Sequence, residues 1–172
     1  MSRRTISSMP EAAAVTVPRY RSRVLDETRH DPYQLSAKPI EPTRCGECGA
    51  VYHRGRWSWV PAPERSHVTS CPACRRIRDR LPAGFITLEG VRTPALRAEL
   101  LRLVHNQAER ERSEHPMHRI MRMEALDDRI ELATTDIHLP QRVGKAIKRA
   151  FHGTLDIRYG DDEYTVRVHW HS

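Results

Sequence analysis

The chain has little lysine: 3 of its 29 basic residues, the remaining 26 being arginine. Aromatic residues make up 6% of its 172 positions, with only two phenylalanines, so any core must be mainly aliphatic and modest. No apolar run approaches the ~20 residues that cross a bilayer. The N-terminal "AAAVTV" is too short, and too close to prolines, to serve as the apolar part of a secretion signal. No membrane partner is expected. The location expected is cytoplasmic, where four cysteines serve as thiolates or ligands rather than as disulfides. Also missing are G-x-x-x-x-G-K, G-x-G-x-x-G, G-x-S-x-G and H-E-x-x-H, which removes the usual phosphate cradles, the serine elbow and the common zinc-protease helix. No histidine has a glutamate two positions later, as a zinc deaminase requires. Neither catalytic residues nor a small-molecule substrate are expected.

What is present is positive charge, unevenly spread. The formal net charge is +7, and the pI is near 9.7. Residues 1–44 carry +3, residues 45–84 carry +4, and residues 85–172 balance. An excess confined to the first half favours an anionic partner for that half. Arginine suits phosphate, because its planar fork donates two hydrogen bonds at once and stacks on bases.

Three segments follow. Residues 1–41, rich in arginine, serine and proline, read as a basic, disordered or extended arm. Its Arg3, Arg4, Arg19, Arg21 and Arg23 are candidates to follow a phosphate backbone. Residues 42–84 contain Cys45-x-x-Cys48 and Cys71-x-x-Cys74 with a spacer of 22 residues. Two residues between cysteines let a tight turn aim both sulfurs at one ion, and two such turns make a tetrahedral site. Four thiolates fill the coordination of zinc, so one structural Zn2+ is expected on Cys45, Cys48, Cys71 and Cys74. A redox dithiol needs only one of the pairs, and an iron–sulfur site is the other reading of four cysteines. Between the pairs, "VYHRGRWSWV" reads as a hairpin turning at Arg54-Gly55.

Residues 85–172 alternate strand and helix signals. "GFITLEG" is a strand. Thr93 and Pro94 open a helix as cap and first residue. "HRIMRMEAL" and "RIELATT" are strands, and "HLPQRVGKAIKRAFHG" is a second helix, capped by Thr134, Thr135 or Asp136 and stopped by Gly153. "TLDIRYG" and "YTVRVHW" are strands with a period of two. The order β-α-β-β-α-β plus one strand predicts an α+β chain: a zinc ribbon followed by a ferredoxin-like split βαβ sandwich with an extra strand.

Candidate RNA contacts are Arg54, Arg56, Trp57 and Trp59 on the hairpin and Arg75, Arg76, Arg78 and Arg80 after the second cysteine pair. Arg142, Lys145, Lys148 and Arg149 on the second helix complete the set. Burial over a small metal core is the competing role for Trp57 and Trp59, and plain solvation the competing role for the helix face. The histidines of "EHPMHRI" lack a further ligand nearby in sequence, so no metal role is assigned to them.

The pattern Cys45-x-x-Cys48-x-x-x-Tyr52-x-x-Gly55-x-Trp57, then Cys71-x-x-Cys74-Arg75, then an α/β segment, resembles a small bacterial zinc-ribbon family. In element order it also resembles the nonsense-mediated-decay-protein-three family, the export adaptor of the large ribosomal subunit. That resemblance spans roughly residues 44–170. It implies a ribosomal RNA or ribosome partner, with the large subunit favoured, in assembly, hibernation or quality control. This chain has one cysteine quartet where the adaptor has more and lacks its downstream domains, so nuclear export is not implied. The alternatives are an interaction module for an acidic partner and a DNA-binding regulator.

Overall fold

The computed structural model describes residues 31–35, 37–160 and 164–172, which form two sheets and three helices. The basic arm's Arg3, Arg4, Arg19, Arg21 and Arg23 lie outside the described residues.

The first sheet is built from four three-residue strands: β1 (Thr43–Cys45), β2 (Val51–His53), β3 (Arg56–Ser58) and β4 (His67–Thr69), in the order β3-β2-β1-β4. The expected hairpin is β2-β3, with Tyr52 opposite Trp57. Its turn needs two left-handed residues, Arg54 at φ 53° and Gly55 at φ 76°. The second is free for glycine; the first is stabilised by the Glu41 carboxylate, which accepts from the N–H groups of Arg54 at 2.6 Å and Gly55 at 2.9 Å. These bonds hold the Glu41 carboxyl below its ordinary range.

Helix α1 (Pro72–Asp79) was not expected as a helix. Cys71 is its N-cap, accepting from the N–H of Cys74, and proline follows at the first helical position. The second cysteine pair therefore sits on a helix N-terminus, while the first sits on a strand end and turn.

The arm does not stay apart from this unit over its described part. Tyr33 is buried, with its ring beneath the Arg76 guanidinium at 4.5 Å and its hydroxyl donating to Asp79 Oδ2 at 2.9 Å. Asp31 pairs with Arg76.

The second sheet holds β5 (Gly84–Glu89), β6 (Ile120–Ala125), β7 (Arg129–Thr134), β8 (Thr154–Tyr159) and β9 (Val166–His171). Their order is β6-β7-β5-β9-β8. The two helices are α2 (Pro94–Glu114), capped by Thr93 as expected, and α3 (His138–Ala150). The element sequence β-α-β-β-α-β plus a strand is thus present. The additional strand, however, is not an appendage at the edge: β9 lies between β5 and β8, parallel to β5 and antiparallel to β8. Hydrophobicity explains that choice. Val166, Val168 and Trp170 are fully or almost fully buried, whereas β8 is half-buried and tolerates an edge. Alternate strand residues Ile86, Leu88, Ile130, Leu132, Val168 and Trp170 join Leu100 and Val104 of α2 and Leu139, Val143 and Ile147 of α3 in one core. Among the described residues, no helix is long and apolar enough to cross a membrane.

Candidate metal centre and the adjoining cleft

Cys45, Cys48, Cys71 and Cys74 come together, with all four sulfurs within 4.8 Å of one another. Tetrahedral coordination with a metal–sulfur bond of about 2.3 Å places sulfurs about 3.8 Å apart. Cys48 Sγ and Cys71 Sγ are separated by 3.8 Å, so the spacing fits such an ion. Backbone N–H groups point at the sulfurs, from Cys71 to Cys45 Sγ at 3.3 Å and from Cys74 to Cys71 Sγ at 3.4 Å. Burial pushes the Cys45 thiol up, but donation from the N–H groups of Cys48, Cys71 and Glu47 outweighs it and brings the thiol down to about 7. Burial pushes Cys71 well above the ordinary thiol range and raises Cys74 to about 11. A cation bound here takes all four sulfurs as thiolates and so displaces the protons that burial favours.

Arg119, just ahead of β6, borders the cysteine cluster and was missed by sequence reasoning. Its Nη2 donates to Cys48 Sγ at 3.0 Å and its Nη1 to Cys74 Sγ at 3.4 Å. Nε donates to the Pro116 carbonyl at 2.6 Å, which fixes the fork. Burial alone would make Arg119 easier to deprotonate, yet the bonds it donates to Cys48 and Cys74 raise its proton affinity instead. One charge from the α/β unit thus reaches the sulfurs of the other. No local pattern in the sequence marks Arg119; only the fold brings it there.

The candidate RNA contacts fall into different environments. Arg54, Arg56 and Arg80 are exposed, and their guanidinium groups have no carboxylate partner among the described residues, although the Arg54 backbone N–H donates to Glu41. Arg78 is exposed, with Glu47 at 3.6 Å and Asp79 at 3.5 Å. Arg75 is half-buried beside Tyr33. Arg76 is no surface residue: it is 3% exposed and occupied by Asp31 and the Leu81 carbonyl. Its position on the inner face of α1 is the reason. Trp57 packs against the cysteine core and meets Tyr52 edge-on. The Trp59 ring is 38% exposed, but its N–H donates to the Arg112 carbonyl at 2.5 Å and Arg119 lies over its face. Trp57 therefore serves packing, while Trp59 is tied to α2 by its N–H and keeps part of its ring exposed. On α3, Arg142 bonds Glu111 at 2.9 Å. Lys145, Lys148 and Arg149 are exposed beside Leu155 around a surface concavity, with no carboxylate partner among the described residues.

Between the two units runs a cleft of about 300 Å³, lined by Asp31, Arg76, His118, Asp136, His138 and Tyr164 among others. Asp136 is the effective cap of α3, accepting from the N–H groups of His138 at 2.7 Å and Leu139 at 2.9 Å. The loop carrying it can approach β5 because residue 84 is glycine; a Cβ there would overlap Thr134 Oγ1, Pro140 and the Asp136 carbonyl oxygen. Burial pushes the Asp136 carboxyl above its ordinary range, despite the opposing pull of His118 and the two N–H groups. Burial likewise pushes His138 down, against Asp136.

Comparison with protein-family models, curated proteins and solved structures finds no match.

Proposed function

We propose that the protein is a cytoplasmic, non-enzymatic zinc-ribbon protein that binds structured RNA, with the ribosome, and its large subunit in particular, as the partner. In this reading Cys45, Cys48, Cys71 and Cys74 hold one structural Zn2+, and a ferredoxin-like sandwich with an inserted strand carries the second basic surface. Four thiolates leave zinc no position for water, which favours a scaffold role.

One observation carries the reading: the contrast in how cations are paired. On the second sheet most arginines have a carboxylate partner, as in Arg122–Glu124, Arg129–Glu131 and Arg158–Asp156, while Arg167 lies over the Phe85 ring. The exposed cations Arg54, Arg56 and Arg80 of the ribbon, and Lys145, Lys148 and Arg149 of α3, lack such partners among the described residues. Clustered cations without a carboxylate partner attract phosphate and lose that attraction in salt; Lys148 and Arg149 meet only the backbone carbonyls of Gly153 and Lys145. Arg76, Trp57 and Trp59 are left out of the contact set because internal partners occupy them.

The test is binding of a structured RNA across a salt series, with duplex DNA and an acidic peptide as competitors. Replacing Lys145, Lys148 and Arg149 by alanine leaves Val143 and Ile147 in the core, so the fold persists. The expected result is weaker binding and a log–log salt slope shallower by roughly 2. Unchanged RNA affinity would contradict the reading. Preference for the peptide or for duplex DNA would replace RNA with that partner.

A further inference from the structure

Glu111, His115 and His118 form a second cluster, separate from the cysteines, whose ligand atoms all lie within 4.8 Å of one another. We propose that it is a divalent-cation site with nitrogen and oxygen ligands, suited to zinc, opening toward the cleft between the two units. The proposal goes beyond RNA binding and does not depend on it.

Local structure builds the cluster. Glu111 and His115 are one helical turn apart at the end of α2, where the His115 N–H donates to the Glu111 carbonyl at 2.7 Å. Pro116 then turns the chain, and the His118 N–H donates back to the His115 carbonyl at 2.9 Å. That turn brings the two imidazoles together, with centroids 4.6 Å apart and planes inclined at 37°.

The surroundings are arranged as a metal's outer partners are. Glu111 is 3% exposed, an unusual position for a carboxylate. Its Oε1 accepts from Arg142 at 2.9 Å and Gln107 at 3.3 Å, while Oε2 faces His118 Nδ1 at 3.3 Å. The other nitrogen of His118, Nε2, faces Asp136 Oδ1 at 3.7 Å. A histidine with one nitrogen at the ligand position and the other toward a carboxylate is the usual arrangement around a bound metal. Asp136 is 8% exposed, and its Oδ2 is buried with no protein partner. Two histidines and one glutamate are a donor set that leaves zinc an open fourth position, unlike four cysteines. Of the three ligands His118 lines the cleft, with Asp136 beside it, and His115 is half-buried.

A proton on His118 Nδ1 would also satisfy Glu111, so the experiment must separate metal from proton. Full-length chain with zinc on its cysteines is titrated with Co2+. The expected result is one saturable equivalent whose visible absorption lacks the sulfur-to-cobalt charge-transfer band in the near ultraviolet. His115→Ala and Asp136→Asn should each weaken it by roughly tenfold or more. Asparagine can still accept the N–H groups of His138 and Leu139, so α3 keeps its cap. Zinc content at the cysteines and the circular dichroism should not change in either variant. Three results would overturn the proposal: no saturable equivalent, an equivalent bearing the sulfur band, or full affinity in the His115→Ala/His118→Ala double variant.

Discussion

Arg119 Nη2 lies 3.0 Å from Cys48 Sγ, across 71 positions of sequence. The same guanidinium reaches Cys74, and its neighbour His118 faces the second cluster. The segment 116–119 therefore touches both candidate metal centres and joins the two units.

Arg119→Ala should leave the core of residues 84–172 folded but loosen metal at the cysteines, with affinity falling roughly tenfold. Arg119→Lys should restore little, because one ammonium cannot reproduce a fork that spans Cys48 and Cys74. The rate of metal transfer to a chromophoric chelator checks both. Equal rates in parent and Ala variant would show that the contact does not matter to the ion.

Metal affinity should fall as pH falls. The ion binds thiolates, but the raised Cys71 and Cys74 thiols still hold their protons at neutral pH, whereas Cys45, at about 7, is already partly ionised. Thiolate binding near pH 7 should therefore release protons, and affinity should rise with pH through the neutral range. Calorimetry in buffers of different ionisation enthalpy counts these protons; binding with no proton release would contradict thiolate ligation.

Arg76→Ala should destabilise the metal-loaded protein by about 2–3 kcal/mol. The change strands Asp31 and the Leu81 carbonyl and uncovers the Tyr33 ring. A urea midpoint measured with metal present reports it, and a midpoint equal to the parent's would mean the pair contributes little. At a salt where the variant stays folded, RNA affinity should match the parent, since Arg76 is not at the surface.

Gly84→Ala should displace the Asp136 loop, because a methyl group there overlaps Thr134 and Pro140. The expected loss is about 1–3 kcal/mol of stability, together with weaker Co2+ binding at the second cluster. A variant as stable as the parent would show that the loop yields easily.

Much of this was readable in the sequence where physics is local. Thr93-Pro94 marked the start of α2, Arg54-Gly55 the hairpin turn, and the two cysteine pairs a common site. What escaped was set by distance. Helix α1 is only eight residues long and its one start signal, Pro72, was absorbed into the cysteine spacing. The interior place of β9, between β5 and β8, follows from burial of Trp170, which periodicity alone does not rank above that of Tyr159 or Leu155. The histidines of "EHPMHRI" lacked a visible third ligand because Glu111 reads as one more charge on a helix and Asp136 arrives from after β7. Arg76 looked like its neighbours in "CRRIRDR", yet its helical position turns it inward.

The most direct test of the proposed role is sedimentation of the tagged, metal-loaded protein through a gradient of ribosomal particles at near-physiological salt. The account predicts co-sedimentation with the large subunit, lost on replacing Lys145, Lys148 and Arg149 by alanine and retained by a charge-preserving change of all three to the other basic residue. Protein that stays at the top of the gradient, or that follows the particles equally well without those cations, would contradict it.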